Sequence, residues 1–496
     1  MRSTFTLLMV SAIVCLGSVG NAKQAAHSTS KFPYLSRKSE KFFVDGSAIP
    51  EVKFNVGESY AGLLPIPCSA NSSLFFWFFP SKNPSATDEI TIWLNGGPGD
   101  SSMKGLLQGN GPFLWKEGAL APVRNPYSWN KLTNMVYIDQ PVGTGFSPSV
   151  GSVKDVTDIA EQITCWFKNF VQTFGLQGRK VYITGESYAG HMIPYIASRM
   201  LDTNDRTHFN VKGINIINSV INDYSILQQA PAVAALNYHR KEFRLNESFI
   251  ASSNARAEKC GYTKFLSKAL TYPPPKQFPA VPDPEQNDCR IWSDILTASF
   301  AVNPCFTPYN LKHRCPTLSN VMDDGPGSYF NRSDVQKLLN VPPTNYKVGG
   351  GFMWSGFPGK DALGPRPSAQ GPLPSVIERT NNTLISNGLL DYLLLANGSL
   401  ATIQNMTWNG QKGFQTRPVE PLLVPSQEWQ SNPWKKREST EKAIHGGMSV
   451  KGTALTERGL TFITVFEAGH EMSRDAPAAS YHQLQFLLGR IHSLSK

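Results

Sequence analysis

The stretch from residue 180 to residue 190 reads Lys180-Val-Tyr-Ile-Thr-Gly-Glu-Ser-Tyr-Ala-Gly190. A run of β-branched and aromatic residues, typical of a buried strand, leads directly into a serine held between small residues. This is the pattern of a nucleophile elbow, in which a sharp strand-to-helix turn raises a serine hydroxyl above a sheet. The small residues Gly185 and Ala189 allow the close backbone approach that such a turn requires. The sequence therefore predicts Ser187 as a catalytic nucleophile, followed by a helix over residues 191–201.

Short apolar runs like the one before Ser187 recur along the chain and predict the strands of a central sheet. They span residues 74–79, 90–94, 134–138, 180–184, 213–217, 382–385 and 460–465. Helical periodicity fills several gaps between them, most clearly from Val156 to Phe174. Strands that alternate with helices predict an α/β fold, with a mostly parallel sheet covered by helices on both faces.

Residues 1–22 predict a secretory signal peptide. Arg2 is a short basic start, Phe5 to Leu16 is an apolar run, and Gly20-Asn-Ala22 offers small residues at the cleavage position. A membrane anchor is the less favoured alternative, because the apolar run is shorter than the ~20 residues that a span needs. We therefore expect a secreted or vacuolar protein with no membrane association.

The cysteines agree with passage through the secretory pathway. Cys15 belongs to the signal peptide, and the even number that remains predicts three disulfides. Four of the six lie between residues 260 and 315, which leaves Cys68 with Cys165 by arithmetic alone, while the other connectivity stays open. Their spacings do not resemble zinc sites, so no metal or other cofactor is expected. The disulfide candidates are Cys68, Cys165, Cys260, Cys289, Cys305 and Cys315.

Surface chemistry can be estimated from sequons and charge. Asn-x-Ser/Thr sequences predict N-glycosylation of some of their asparagines. The net charge of +10 is scattered, apart from the cluster Lys435-Lys-Arg437, which favours a solvated basic surface over a nucleic-acid-binding one. Nothing in the pattern decides the oligomeric state. The candidate glycosylation sites are Asn71, Asn246, Asn331, Asn381, Asn397 and Asn405.

The alternation of strands and helices breaks down between about residues 225 and 330. This stretch contains the run Tyr272-Pro-Pro-Pro-Lys-Gln-Phe-Pro279 and most of the cysteines. We interpret residues 225–330 as an inserted cap over the carboxyl edge of the sheet, between a first core segment (23–224) and a second (331–496). Two further stretches, residues 349–374 and 417–451, predict long loops.

A serine nucleophile needs a base, and the base needs an acid to orient it. On this topology the expected order is serine, aspartate or glutamate, histidine. Asp391 follows the strand at 382–385 and a turn signal, and His470 follows the strand at 460–465 and a glycine. Each could alone be an ordinary loop residue, but both lie where loops leave the carboxyl ends of strands. Together with Ser187 they are predicted to form a catalytic triad.

An oxyanion hole requires two backbone N–H groups directed at the developing charge. We expect one of these N–H groups to come from Tyr188, the residue directly after the nucleophile. The glycine-rich run Trp93-Leu-Asn-Gly-Gly-Pro-Gly99 predicts the other, at Gly97. Phosphate binding is the alternative for such a run, but neither of the glycine patterns that bind nucleotides is present.

These segments together resemble the serine carboxypeptidase family over nearly all of the mature chain. The matching motifs are Trp93-Leu-Asn-Gly-Gly-Pro-Gly99, Asn125-Pro-Tyr-Ser-Trp-Asn130, Ile138-Asp-Gln-Pro-Val-Gly143, Gly145-Phe-Ser147, Gly185-Glu-Ser-Tyr-Ala-Gly190, Asp391 and Ala468-Gly-His470. The resemblance implies an α/β-hydrolase fold with an inserted cap. It also implies hydrolysis, at acid pH, of the last peptide bond of a peptide or protein substrate, with the triad on Ser187, Asp391 and His470.

The resemblance further implies that Trp93, Asn95 and Glu186 bind the free carboxylate of the substrate, together with a second glutamate. Two neighbouring carboxyls cannot both ionise cheaply, so one stays protonated and donates to the incoming carboxylate. This chain has Gly109 in the place of the second glutamate. We therefore expect Glu186 to ionise more readily and to repel a carboxylate, which gives an atypical recognition site.

Two further departures from the family pattern lie nearby. Asp100 stands where a cysteine usually follows the glycine run, and we interpret it as a solvated loop residue. His470 is followed by Glu471 rather than by methionine. The primary expectation is a secreted serine carboxypeptidase that works through an acyl-enzyme. The alternatives are an acyltransferase or esterase with the same triad and, less favoured, a non-catalytic secreted binding protein.

Overall fold

The structure, a computed structural model, describes residues 32–86, 88–149, 153–286, 288–316, 321–322, 328–349, 366–425 and 447–496. By its internal contacts the chain divides into Met1–Pro33 and Tyr34–Lys496. Only residues 32 and 33 of the first unit are described, so the predicted signal peptide at 1–22 lies outside the described residues. The fold below is that of the second unit. Among the described residues, no helix has the length and apolar character to span a membrane.

Eleven strands of the described chain form one mixed sheet. In space they follow the order β1-β2-β3-β5-β4-β6-β7-β8-β11-β10-β9. The strands from β5 to β11 in this order pair in parallel, and those outside them pair antiparallel. The strands are β1 (Phe43–Val44), β2 (Ser59–Pro65), β3 (Ser73–Phe79), β4 (Glu89–Leu94), β5 (Asn134–Ile138), β6 (Lys180–Glu186), β7 (Asn210–Ile217), β8 (Thr383–Gly388), β9 (Glu420–Pro425), β10 (Met448–Glu457) and β11 (Leu460–Val465).

The helices of the described residues mostly follow the strands that they cover. They are α1 (Met103–Gly105), α2 (Val156–Phe174), α3 (Ala189–Asp202), α4 (Ala232–Tyr238), α5 (Arg240–Phe243), α6 (Glu247–Lys259), α7 (Tyr262–Ala269), α8 (Ile291–Val302), α9 (Ser333–Leu338), α10 (Leu373–Thr380), α11 (Ala396–Asn405), α12 (Met472–Asp475) and α13 (Pro477–Leu487). The prediction for α2 matches its bounds because both ends carry clear signals. The Asp155 side chain accepts the N–H of Thr157 at 2.7 Å, and Gly175 ends the helix in the left-handed conformation.

Both faces of the sheet are buried, as predicted, and β3 shows how. Phe76 and Phe78 pack on one face with residues of α2 and α3. Their neighbours Phe75 and Trp77 pack on the opposite face with residues of α13. All four side chains are inaccessible to solvent. A strand buried on two sides needs a continuous apolar run, which is why the runs in the sequence identified the central strands.

The interpretation of residues 417–451 as a long loop is wrong at both ends. β9 and β10 occupy those ends and pair antiparallel at one edge of the sheet. Residues 426–446 lie outside the described residues, as do 350–365 of the other predicted loop. The described part of that second stretch includes a short 3₁₀ turn at Ser368–Gln370 and the start of α10.

The segment predicted as a cap contains helices α4 to α8 and part of a separate apolar cluster, which includes Leu236, Phe265 and Ile295. Two disulfides, Cys260–Cys289 and Cys305–Cys315, join parts of this segment to one another. Cys68 pairs with Cys165, as the arithmetic predicted. Three disulfides are thus confirmed, while the domain boundaries at 225 and 330 stay a prediction.

The last residues of the chain are tied to two strands of the sheet. Arg490, just after α13, forms an ion pair with Glu89, the first residue of β4, whose side chain is buried. Burial raises the pKa of Glu89 to about 7, although Arg490 acts in the opposite direction. Further on, Leu423 of β9 donates its N–H to the carbonyl of Leu494 at 2.8 Å.

Candidate active site

Ser187 lies at a sharp turn between the end of β6 and the start of α3. Its φ angle is +63°, a conformation that a residue other than glycine rarely adopts. Hydrogen bonds to the next strand hold this turn: Ser187 donates its N–H to the carbonyl of Ile217 at 2.9 Å, and Val220 donates to the carbonyl of Ser187 at 3.0 Å. The predicted elbow is therefore present, with Ser187 half-buried at the carboxyl edge of the sheet.

Glycines bring the loop after β4 against this turn. A Cβ atom on Gly96 would lie 2.4 Å from the amide nitrogen of Tyr188, and one on Gly185 would lie 2.2 Å from the carbonyl oxygen of Leu94. Only glycine allows these approaches. Gly97 follows with a φ of +104° and lines the same cleft as Ser187. The two residues predicted to form the oxyanion hole, Gly97 and Tyr188, thus lie on backbone segments that meet beside the serine.

His470 and Asp391 meet at the exits of β11 and β8. His470 Nδ1 is 2.7 Å from Asp391 Oδ2, and both side chains are buried. The other Asp391 oxygen accepts the N–H groups of Leu393 at 2.7 Å and Leu394 at 3.1 Å. Because Nδ1–H donates its hydrogen bond to Asp391, Nε2 is left to exchange a proton. Nε2 is buried and has no hydrogen-bond partner among the described residues. His470 lines the same cleft as Ser187.

Asn218, which sequence reasoning did not identify, fixes the two loops relative to each other. Its side-chain amide donates to the carbonyls of Gly469 at 2.9 Å and His470 at 2.7 Å, and its carbonyl oxygen accepts the N–H of Gly388 at 2.7 Å. Asn218 directly follows β7 and is buried. A buried asparagine at a strand exit, next to the predicted catalytic strands, is the signal that could have identified it.

The charges around His470 favour its protonated form. Burial lowers the pKa of His470, but the carboxylates of Asp391, Glu186 and Glu471 outweigh burial and raise it above the usual value. Burial raises the pKa of Asp391, despite the opposing effect of His470 and two backbone N–H groups. The pair is therefore suited to hold a proton on the imidazole once the imidazole has taken one.

Trp93, Asn95 and Glu186 form a buried chain of hydrogen bonds beside Ser187. Trp93 Nε1 donates to Asn95 Oδ1 at 2.7 Å, and Asn95 Nδ2 donates to Glu186 Oε1 at 2.9 Å. The backbone N–H of Gly105 also donates to Asn95 Oδ1, at 3.2 Å. This arrangement orients the Asn95 amide and directs it at the carboxyl group. The three residues predicted to recognise a carboxylate therefore form one connected unit.

Glu186 ionises less readily than an ordinary glutamate, and whether it ionises more readily than it would with a glutamate at position 109 stays a prediction. Burial, followed by the negative charge of Glu471, raises the pKa of Glu186 to about 7, although His470, Lys104 and Arg474 act in the opposite direction. Glu471, the residue after His470, therefore supplies the neighbouring negative charge that the sequence comparison placed at position 109. Glu186 is protonated below about pH 7 and can donate a hydrogen bond there.

Glu471 lies between two cations that sequence reasoning did not connect with the site. It forms ion pairs with Lys104 and with Arg474, and its side chain is buried. Burial opposes its ionisation, but these two cations lower the pKa of Glu471 to about 2. Arg474 also contacts Glu117 at 3.2 Å and Asp475 at 3.1 Å. We call Lys104, Glu471 and Arg474 the ion cluster.

The space between Gly109 and Glu186 is nearly filled. A cavity of only about 10 Å³ remains between Gly109, Glu186 and the ion cluster, enough for about one water molecule. A Cβ atom on Gly109 would lie 3.1 Å from Cβ of Ser473. Gly109 therefore does not open a large pocket beside Glu186. Asp100 likewise is not the solvated residue expected: it is half-buried, lines the cleft, and burial raises its pKa.

The predicted glycosylation sites differ in their accessibility. Asn71, Asn246, Asn381, Asn397 and Asn405 are exposed. Asn331 is half-buried, and its side-chain nitrogen donates to Ser328 Oγ at 2.9 Å and to the carbonyl of Tyr346 at 3.0 Å. A sugar on Asn331 would break at least one of these bonds, so the other five are the stronger candidates.

Comparison with known proteins places this geometry in a family. The sequence pattern of the serine carboxypeptidase family matches residues 50–489. A carboxypeptidase Y homolog from Arthroderma benhamiae is 48% identical over 96% of this chain and 92% of its own length. The serine-type carboxypeptidase F of Aspergillus niger is 38% identical over 93% of this chain and 89% of its own length.

Among solved structures, the chain is similar to Kex1(delta)p, a prohormone-processing carboxypeptidase from Saccharomyces cerevisiae. The TM-score is 0.67 at 23% identity, over 91% of this chain and 96% of that one. The likeness confirms the predicted α/β-hydrolase fold. With the family pattern and the fungal relatives, it also confirms the resemblance drawn from the motifs. This chain belongs to the serine carboxypeptidase family, whose members are serine-type hydrolases.

Proposed function

We propose that this protein is a secreted serine carboxypeptidase that removes C-terminal residues from peptides through an acyl-enzyme. Ser187 Oγ attacks the carbonyl carbon of the last peptide bond while His470 Nε2 takes its proton. His470 then gives that proton to the leaving amine, and water hydrolyses the ester in the same way. Asp391 orients His470 and stabilises its charge, while the N–H groups of Gly97 and Tyr188 hold the oxyanion.

The observation that carries the proposal is the buried chain from Trp93 through Asn95 to Glu186. An esterase or endopeptidase needs the triad and the oxyanion hole, but it has no use for a protonated carboxyl group beside the nucleophile. With a pKa of about 7, Glu186 can donate a hydrogen bond to the terminal carboxylate of a substrate. The amide of Asn95, whose oxygen is fixed by Trp93, donates one hydrogen to Glu186 and keeps a second hydrogen that can donate to the same carboxylate.

The same group supports a preference for free acids over amides that is greatest at acid pH. The pKa of Glu186 is raised, so its donor form is complete well below pH 7 and is lost as the pH rises through about 7. On the acid side, the rate falls as His470 becomes protonated, since only the neutral imidazole acts as a base, and the raised pKa of His470 places this fall at a higher pH than for an ordinary histidine. For free-acid substrates we expect a bell-shaped dependence of kcat/KM on pH, in which the fall at alkaline pH is caused by the ionisation of Glu186.

Several features support a location in the secretory pathway, outside the cell or in the vacuole. Disulfides persist in oxidising compartments, and this chain has three. Five exposed sequons and the signal peptide predicted at residues 1–22 agree with that route.

Residues 225–330 are proposed as a cap over the active site. Tyr309 of that segment accepts the N–H of His470 at 2.6 Å and packs its ring against the imidazole.

The proposal is tested with a blocked dipeptide and its C-terminal amide, assayed with the purified mature chain from pH 4 to pH 8. We expect the free acid to be cleaved with much the higher kcat/KM, most strongly below pH 7. Labelling by an active-site serine reagent, absent in Ser187→Ala, identifies the nucleophile. Equal cleavage of acid and amide, or cleavage of neither, would overturn the exopeptidase assignment.

A further inference from the structure

Lys104 is the cation of the ion cluster that reaches the catalytic cleft. It lies in α1, directly after the glycine loop that carries Asn95 and Gly97. It lines the cleft together with these residues, Glu186 and Ser187, and it also lines the small cavity beside Gly109. Arg474 borders the small cavity but is not among the residues that line the cleft. Among the lysines and arginines of the described residues, Lys104 is therefore the one that lines the cleft with Ser187.

The ammonium group of Lys104 is fixed by its neighbours but still has hydrogen-bond donors to spare. One contact is the ion pair with Glu471, and the ring of Tyr309 lies 5.6 Å from Nζ. An ammonium has three donors, so donors remain for a second anion. About a quarter of the side chain is exposed to the cleft and solvent. The charged or titratable groups near it are Asp100, Glu186, Tyr309, His470, Glu471 and Arg474.

We propose that Lys104 binds the terminal carboxylate of the substrate as its ionic partner, in place of the missing second carboxyl group at position 109. The proposal rests on the proposed exopeptidase function and names the group that selects free acids. The carboxylate would lie between Lys104 Nζ, the Asn95 amide and the carboxyl of Glu186, on the leaving-group side of Ser187. Glu471 remains with Arg474 on the side away from the cleft.

The rest of the pocket agrees with this role. Gly109 has no side chain that could bond to a carboxylate, and the remaining cavity is too small for another carboxyl group. A buried carboxylate needs a partner of opposite charge. Two neutral donors compensate only part of the cost of burying its negative charge. Lys104 carries the positive charge that the substrate carboxylate needs, and it lies in the cleft. Its ion pair with Glu471 keeps the long side chain of Lys104 away from the other anions of the cleft.

The proposal has a consequence for pH that separates Lys104 from Glu186. Burial opposes the charge of Lys104, but Glu471 above all, with Glu186 and Asp100, raises its pKa above the usual value. Lys104 therefore stays charged throughout the range in which Glu186 loses its proton. Part of the preference for free acids should persist above pH 7, and that part should depend on Lys104.

The test compares Lys104→Met with the matched variant Arg474→Met, using a blocked dipeptide acid and its amide at pH 5 and pH 8. Either substitution removes one cation from Glu471, but only the first removes the cation that lines the cleft. We expect the acid-to-amide ratio of kcat/KM to fall at least about tenfold in Lys104→Met, mainly through KM for the acid. In Arg474→Met the ratio should stay within about threefold of wild type.

The outcomes distinguish this inference from the proposed function. If wild type shows no preference for the acid, the exopeptidase assignment itself fails. If wild type prefers the acid and Lys104→Met keeps the wild-type ratio, or if both variants lower it equally, direct binding by Lys104 is overturned. Lys104→Gln, which keeps a donor for Glu471, serves if the methionine variant does not fold; it should lower the ratio in the same way, and an unchanged ratio contradicts the proposal.

Discussion

The two halves of the active site are built in different ways. On one side, Ser187, Gly97 and Tyr188 are positioned by backbone at the ends of parallel strands. On the other side, the groups around Glu186 are long side chains from separate segments, held by ion pairs. The first half is built from the motifs that carry the resemblance to the family, while the second has Gly109 where the resemblance implies a glutamate, with the ion cluster nearby. Backbone geometry leaves little freedom for change, whereas charged side chains can be exchanged if the charges still balance.

The strongest test of this contrast is removal of the nucleophile. Ser187→Ala should lower kcat about 10⁵- to 10⁶-fold for free-acid and amide substrates alike, because chemistry depends on this half whatever the substrate end. Steady-state assays with both substrates measure the loss. Thermal unfolding should occur near the wild-type temperature. A variant that retained activity on one of the two substrates would contradict a single shared nucleophile.

The next largest effect is expected from the backbone contact between the two loops. In Gly96→Ala the new Cβ would lie 2.4 Å from the amide nitrogen of Tyr188, so the oxyanion hole must open. We expect kcat to fall about 10²- to 10³-fold for acid and amide equally, the usual cost of one lost donor. Gly410→Ala is the control: its Cβ would meet no neighbouring atom, and its φ of +76° strains the backbone far from the two loops, so it should lower stability but not kcat. An active Gly96→Ala variant would show that this approach does not position the donor.

The recognition half should respond to pH in a way that the first half does not. The acid-to-amide ratio of wild type should be about tenfold lower at pH 8 than at pH 5, because Glu186, with a pKa of about 7, is then mostly ionised. In Glu186→Gln the side chain cannot ionise, and the ratio should change less than about twofold between these values. The measurement is kcat/KM for both substrates across the range. An unchanged alkaline limb in Glu186→Gln would assign that limb to another group.

The smallest effect concerns the charge behind Glu186. Glu471 raises the pKa of Glu186, so Glu471→Gln should lower that pKa and move the alkaline limb to lower pH. Burial, the larger cause of the raised pKa, remains in this variant. Glu467→Gln, an exposed residue of the same loop that pairs with Lys312, is the control. A shift to higher pH would contradict the assigned influence of Glu471.

The same contrast explains what the sequence could predict. The central strands and the triad follow from short patterns, because apolar runs and turn residues act locally. β10 was missed, since it lies near the sheet edge, is partly exposed and lacks a continuous apolar run. Lys104 and Arg474 were missed for another reason: they lie far apart in the chain, and only the packed fold brings them to one carboxylate. No local sequence pattern indicates that two distant residues contact the same carboxylate.

Glu186 shows the limit most clearly. From sequence, Gly109 in the place of a glutamate suggested that Glu186 ionises more readily. In the fold, burial is the main cause of its raised pKa, and the neighbouring negative charge comes from Glu471, directly after His470. Only the three-dimensional arrangement shows that Glu471 lies close enough to Glu186 to raise its pKa.

The ties between the segment after α13 and the sheet have a consequence for unfolding. For this segment to leave the sheet, the buried side chain of Leu494 must enter water, and the N–H of Leu423 must lose the carbonyl of Leu494. The buried carboxyl of Glu89 would also lose Arg490, its ion-pair partner. Residues 490–494 therefore contribute to the free energy of unfolding of the whole sheet, although they belong to no strand.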